Sequence, residues 1–168
     1  DITKDFKTHL LSFFDIGNLA KQKIVFDAGS GPAGVTYEPI LDALPIESVK
    51  MNFTPDGNFP SHEPDPMIPK NSAALIEKIK SEQADFGVGW DGDGDRVAIV
   101  TKNGEILTGS FFAPILALWV LKKHPHSTIV LTLPTSWATQ DLAKKENAKV
   151  EYCKVGNSYV KMAMEQFE

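Results

Sequence analysis

The sequence predicts an α/β protein made of two consecutive open units, each a mixed sheet flanked by helices. Three observations support this. Short apolar runs rich in branched and aromatic residues recur along the 168-residue chain, as at Lys23 to Asp27, Ala84 to Trp90, Val97 to Val100 and residues 128–133; such runs read as buried strands. Segments with apolar residues three and four apart alternate with them, the pattern of helices laid on a sheet. Glycine and proline clusters punctuate the alternation without a long linker, an internal repeat or a low-complexity stretch. The division expected is residues 1–106 and residues 107–168.

The elements follow in order. Phe6, Leu10, Phe13 and Phe14 recur at helical spacing, so an amphipathic helix is expected near residues 3–15. Lys23 to Asp27 is a buried strand, followed by a glycine turn and a helix ending near Leu44 with Ile40, Leu41 and Leu44 inward. Glu47 to Phe53 reads as the next strand. Residues 54–70 carry too much proline for regular structure. Asn71 or Ser72 is placed to cap a helix that turns Leu75, Ile76 and Ile79 to one side. Strands at residues 84–90 and 97–100 flank a glycine-rich loop, and Asn103-Gly104 makes a tight turn into Glu105-Ile106-Leu107. In the second unit, helices are expected at residues 110–123, 137–146 and 158–166, with strands at 128–133 and 149–154. The apolar stretch from Phe111 to Leu121 is too short to span a bilayer and reads as a core helix.

Composition narrows the function classes. The net charge is −5 and there is no basic cluster, which argues against a nucleic-acid partner. Neither a signal peptide nor a membrane-spanning run is evident, so a cytoplasmic, membrane-free setting is expected. The single cysteine, Cys153, lies in a strand-like run and is expected to be a small buried hydrophobe without a disulfide partner.

The most informative segment is Trp90-Asp91-Gly92-Asp93-Gly94-Asp95-Arg96. Three carboxylates at alternating positions repel one another unless a cation intervenes, and oxygen ligands so spaced suit a small hard dication, above all Mg2+. Arg96 adds a planar, permanently charged fork that fits phosphate oxygens. Metal and arginine on one loop point to phosphoryl transfer. An EF-hand loop also begins with alternating aspartates, but it requires glycine and glutamate where Arg96 and Lys102 stand. A phosphatase with an aspartyl nucleophile leaves the third aspartate and the arginine unexplained. A plain acidic turn accounts for any one of these residues more easily than for all of them between two strands.

Asp91-Gly92-Asp93-Gly94-Asp95-Arg96 resembles the metal-binding loop of the α-D-phosphohexomutases, the phosphoglucomutase and phosphomannomutase enzymes. Asp27-Ala28-Gly29-Ser30-Gly31, Pro55-Asp56-Gly57-Asn58-Phe59-Pro60 and Pro64-Asp65-Pro66 resemble that family's second domain in order and spacing, and Lys154-Val155-Gly156-Asn157-Ser158-Tyr159-Val160 resembles the sugar-facing loop of its third. The resemblance implies an internal piece of a four-domain enzyme: domain two and the first half of domain three, with domains one and four missing. It implies interconversion of hexose 1-phosphate and hexose 6-phosphate through a phosphoserine and a bisphosphate, with hexose 1,6-bisphosphate as activator. Asp91, Asp93 and Asp95 would hold Mg2+, Arg96 would act on the phosphoryl group, and Gly156 and Asn157 would contact the hexose phosphate. The phosphoserine segment of the family, Thr-Ala-Ser-His-Asn-Pro-like, does not occur in these residues, so the chain alone is expected to be inactive. One branch has threonine and histidine at the positions of Val155 and Asn157 and a lysine near Pro134; Asn157 can hydrogen-bond but cannot serve as a base.

Two further readings remain open on the residues alone: a free-standing acidic metal-binding module without catalysis, and a dinucleotide-binding domain. Gly29-Ser30-Gly31-Pro32-Ala33-Gly34 fits the dinucleotide fingerprint between a strand and a helix, with Asp56 at roughly ribose-binding distance. Against it, Asp27 at the strand end would repel a pyrophosphate. The histidines, including His62, His124 and His126, show no metal-ligand spacing and carry no expected role.

Overall fold

The computed structural model describes residues 2–107 and 109–167. The chain divides into two units, Asp1–Ile106 and Leu107–Glu168. The outer limits of the two expected domains, at residues 1 and 168, lie outside the described residues.

The first unit runs α1 (Ile2–Leu11), a 3-10 turn (Ile16–Asn18), β1 (Lys23–Asp27), α2 (Ala33–Leu41), β2 (Glu47–Met51), α3 (Ala73–Ser81), β3 (Phe86–Trp90), β4 (Val97–Thr101) and β5 (Ile106–Leu107). Its sheet has the order β2-β1-β3-β4-β5. β1 lies parallel to both β2 and β3, and β3 turns back antiparallel into β4. β1 reads as a continuous apolar run because both of its faces are covered. Val25 packs with Leu75 and Ile79 of α3 and with Ala84 and Val100, whereas Ile24 and Phe26 pack with Leu41 of α2 and with Val88. Leu75 and Ile79 are each only 1% exposed, a burial that contributes about 1.5–3 kcal/mol per side chain. Gly87 lies directly beneath them: a Cβ there would stand 2.5 Å from Ile79 Cδ1.

The chain leaves β1 to one side, through α2 to β2, and returns across β1 to β3. The carboxyl ends of β1 and β3 therefore flank a switch point of the sheet, the position where open α/β sheets form their ligand crevice. Three loops converge there: residues 28–32, residues 52–72 and residues 91–96.

Several expectations are corrected. The helix expected over residues 3–15 ends at Leu11. Its last turn loosens through bonds from the Ser12 and Phe13 amides to the His9 and Leu10 carbonyls, and Phe13 and Phe14 lie beyond its end, exposed. The second strand stops at Met51, because Asn52 adopts a left-handed conformation that breaks extension. Helix α2 stops at Leu41, short of Leu44. Ser72 does stand at the N-cap of α3, but its side chain makes no capping bond; its hydroxyl donates to the Pro66 carbonyl instead, at 2.8 Å.

The second unit runs α4 (Gly109–Lys123), β6 (Thr128–Thr132), α5 (Trp137–Lys145), β7 (Lys149–Cys153) and α6 (Asn157–Glu165). β6 and β7 pair in parallel. Ser136 caps α5, its hydroxyl accepting from the Ala138 amide at 3.3 Å. Helix α4 is not the core helix expected: Ala117 and Leu121 are its buried residues, while Phe111, Ile115, Leu116 and Trp119 are exposed. A helix apolar on all sides needs cover on all sides. Cys153 is half-buried rather than buried, with its thiol against the Lys154 carbonyl. No helix among the described residues is long and apolar enough to cross a membrane.

Candidate metal and phosphoryl site

The loop from Asp91 to Arg96 is the tip of the β3–β4 hairpin. Trp90 pairs with Val97 at the end of the ladder, and one step further the Asp91 amide donates to the Arg96 carbonyl at 3.2 Å. The Gly94 amide closes a turn onto the Asp91 carbonyl at 3.1 Å, with Gly94 at φ +78°, a conformation glycine adopts without penalty. Trp90 anchors the entry to the loop. Its ring stacks on Phe26 and Tyr37 at centroid distances of 5.8 and 5.1 Å and meets Phe53 edge-on at 6.5 Å.

Asp91, Asp93 and Asp95 each offer a carboxylate oxygen, and these oxygens lie within 4.8 Å of one another. Asp91 is fully buried and the other two are exposed. Arg96 grips Asp91 twice: its amide donates to Oδ1 at 3.0 Å and its Nε donates to Oδ2 at 2.6 Å. Burial would raise the Asp91 carboxyl, but these contacts outweigh it and hold the group below the ordinary carboxylate range. Asp95 moves the opposite way, pushed up first by the neighbouring Asp93 charge and then by desolvation and Asp91. Crowding of this kind is what a bound dication relieves, so the donor set fits a hard cation with oxygen ligands. The Arg96 side chain is 60% exposed, with Nη1 3.5 Å from Asp65 Oδ2, so its fork is presented at the surface beside the carboxylates.

The two other loops buttress this one. The Gly92 amide donates to the Pro64 carbonyl at 3.0 Å. A Cβ on Gly92 would meet Pro64 Cγ at 3.0 Å, and a Cβ on Gly31 would lie 2.7 Å from the Gly92 carbonyl oxygen. Phe59, whose ring reaches toward Gly92, is itself held at φ +47°, a strain of order 1–3 kcal/mol for a bulky residue that only a well-determined surrounding sustains.

The dinucleotide reading does not survive the geometry. The Gly29 amide is taken by Asp27 Oδ1, the Ser30 amide by the Asn52 carbonyl and the Gly31 amide by the Ala28 carbonyl, so none of these turn donors faces a phosphate. Gly34 is required for packing, since a Cβ there would collide with the Phe53 backbone.

In the second unit, Gly156 and Asn157 follow β7, Gly156 standing at the N-cap of α6 with φ +135° and Asn157 opening the helix, exposed. Pro134 follows the neighbouring strand β6 and lines a cleft of about 360 Å³ with Gly109, Ser110, Ala113, Thr132, Thr135 and Ser136. The loops bearing Pro134 and Gly156 thus leave the same edge of the two-stranded sheet.

Sequence reasoning missed several residues at the first site. His62 was expected to be idle, yet its Nε2 lies 2.9 Å from Asp27 Oδ2. Asp65, known only as part of a motif, reaches Arg96. Asn52 donates to Asp27 Oδ1 at 2.8 Å. The available signal was a carboxylate at a strand end and polar residues wedged between prolines.

Comparison with known proteins identifies the family of the chain. Residues 4–104 match the family model for the phosphoglucomutase/phosphomannomutase alpha/beta/alpha domain II, and residues 108–168 match that for domain III. The chain belongs to the phosphoglucomutase/phosphomannomutase family. It is 35% identical over 156 residues to the phosphohexose mutases of Xanthomonas campestris pv. campestris, covering 93% of this chain and 35% of that one. The structure of a phosphoglucomutase/phosphomannomutase family protein from Burkholderia thailandensis superposes with a TM-score of 0.89 at 30% identity, covering 99% of this chain and 36% of that one. Aspergillus fumigatus N-acetylphosphoglucosamine mutase, solved in complex with GlcNAc-6P and magnesium, shares the fold at a TM-score of 0.61 and 14% identity, covering 90% of this chain and 32% of that one. The chain therefore spans about a third of the length of the mutases it matches.

Proposed function

We propose that these residues form the metal-bearing part of a phosphohexomutase that interconverts hexose 1-phosphate and hexose 6-phosphate. The observation that carries the proposal is the cluster of three carboxylate oxygens within 4.8 Å, placed at the switch point of the sheet beside the exposed fork of Arg96. Asp91, Asp93 and Asp95 would hold Mg2+, which when bound neutralises charge on the phosphoryl oxygens. Each carboxylate oxygen has two lone pairs, so Asp91 can accept from Arg96 and still ligate. Magnesium in the Aspergillus mutase structure supports the choice of metal.

The reaction is a phosphoryl exchange with a phosphoserine supplied outside these residues. The bond from the serine oxygen to phosphorus breaks as one from a hexose hydroxyl forms, with the hydroxyl proton passing, net, to the freed serine oxygen; the resulting hexose 1,6-bisphosphate returns its other phosphoryl group to the serine by the reverse exchange. Arg96 orients the moving group and stabilises its charge with a fixed, permanently protonated fork. Gly156 and Asn157 contact the sugar, Asn157 by hydrogen bonding and not as a base. The hexose 1,6-bisphosphate also serves as activator by rephosphorylating the serine.

The test is Asp93→Asn in the parent enzyme, assayed on glucose, mannose and glucosamine phosphates. It should lower kcat about 10²-fold or more while circular dichroism stays unchanged. Near-normal turnover would remove the metal assignment.

A further inference from the structure

Asp27 is 3% exposed and every contact it makes is to a donor. Its Oδ1 accepts from the Gly29 amide at 2.9 Å and from Asn52 Nδ2 at 2.8 Å. Its Oδ2 faces His62 Nε2 at 2.9 Å. The other ring nitrogen, Nδ1, lies 2.9 Å from the Glu63 carbonyl oxygen. A carboxylate and a carbonyl can only accept, so with Asp27 ionised both ring nitrogens carry hydrogen and His62 is an imidazolium held between them. Burial works against that charge, and the Glu63 carbonyl together with Asp27 more than compensates. Asn52 is fixed in turn by Ser61, whose hydroxyl donates to Asn52 Oδ1 at 2.7 Å.

This web ends on the carboxylate loop. The Glu63 carbonyl also accepts the Asp65 amide at 2.9 Å, closing a tight turn across Pro64, whose ring already locks φ; fixing the Glu63 carbonyl therefore fixes the direction of the Pro64 carbonyl inside that turn. That carbonyl accepts the Gly92 amide at 3.0 Å, between the first two metal-ligand candidates. The Pro64 ring also abuts Gly29 and Gly92. A rigid path therefore runs from buried Asp27 through His62, Glu63 and Pro64 to Gly92.

We propose that His62 and Asp27 are positioning residues for the metal loop: their buried pair clamps residues 52–66 so that the Pro64 carbonyl sets the backbone between Asp91 and Asp93. The proposal rests on the metal reading of that loop. Neither residue touches the metal or the substrate; both act through Gly92.

The test uses the 168-residue chain with Mn2+ as the probe, bound Mn2+ counted by electron paramagnetic resonance, and amide exchange followed by NMR in metal-free protein. In His62→Ala the Gly92 amide should exchange about tenfold faster while the Val25 amide in β1 stays protected. Its Mn2+ dissociation constant should rise about tenfold, within the range found when hydrogen bonds that support metal ligands are lost. His62→Gln can still donate to Asp27 but not to the Glu63 carbonyl, so it should recover part of both effects. It serves as the reference if the alanine variant does not fold. Wild-type Gly92 exchange and wild-type Mn2+ affinity in the folded variants would overturn this proposal alone. No Mn2+ binding by the wild type, or binding unaffected by Asp93→Asn, would overturn the metal reading and this proposal with it.

Discussion

Gly31→Ala is the substitution that most sharply probes how the carboxylate loop is held. Gly31 has no positive φ, so alanine carries no left-handed backbone penalty there; any destabilisation must come from contact, against a gain of about 0.4–1 kcal/mol from the stiffer unfolded chain. The new Cβ would sit 2.7 Å from the Gly92 carbonyl oxygen and 3.3 Å from the Ala28 carbonyl oxygen. Relief requires a displacement of about 0.5 Å or more to reach ordinary van der Waals separation. The neighbour is backbone and cannot swing aside, and Gly92 is already tied to Pro64. Overpacking of this kind costs about 1–3 kcal/mol, which lowers the melting temperature of a unit this size by roughly 5–15 °C. The peptide that moves lies between Asp91 and Asp93, so Mn2+ affinity should fall about tenfold, given that a 1 Å misplacement costs about 10²-fold at a reacting centre. Urea unfolding gives the first quantity and Mn2+ titration the second. Gly57→Ala, where nothing lies within 4 Å of the added Cβ, should leave Mn2+ affinity unchanged and should not destabilise, gaining at most about 0.4–1 kcal/mol through the unfolded chain. Wild-type unfolding and wild-type Mn2+ binding in Gly31→Ala would show that the turn does not brace the loop.

Other substitutions test separate steps. Arg96→Lys in the parent enzyme keeps the charge but loses the fork, so kcat should fall about tenfold or more with KM little changed; an unchanged kcat with a raised KM would make Arg96 a general substrate anchor. Glu82 is held down to about 2 by hydrogen bonds from Lys23 and Lys78, against an ordinary 4.5. Its contribution to stability is therefore present above pH 4.5 and is lost as pH falls from 4.5 through 2. Glu82→Gln should flatten the acid limb of the stability profile measured by urea unfolding, and an unaltered limb would mean that the pair is fully screened. His62 is raised, so its contribution is complete below its ordinary value of 6.5 and disappears as pH climbs through the folded value. His62→Gln should remove that alkaline slope, and a slope that persists would place the titrating group elsewhere.

The candidate ligands were legible because they are contiguous: Asp91, Asp93 and Asp95 fall within five residues, and their alternation with glycine has few other physical explanations. The strands of the first unit were legible because burial on both faces leaves continuous apolar runs. The His62–Asp27 pair was not, since the two lie 35 positions apart and meet only because β1 and the loop after β2 end at the same edge of the sheet. The contact between Asp65 and Arg96 depends on the same topology. Gly29 to Gly34 has the pattern of a phosphate-binding turn, and only the destinations of its amides reveal that it is used for close packing. Ser72 was a sound capping residue by type, but a proline-rich loop offered its hydroxyl the Pro66 carbonyl instead. Apolarity alone suggested that α4 would be buried, yet how much of a helix is covered depends on which elements pack around it.

The most direct measurement is anomalous diffraction from crystals of this chain soaked in Mn2+. The expected result is a single strong peak within coordination distance of carboxylate oxygens of Asp91, Asp93 and Asp95, with Arg96 beside it, and its disappearance in Asp93→Asn. A peak confined to other carboxylates, or none at this loop at saturating Mn2+, would contradict the assignment of the loop as the metal centre of the proposed mutase.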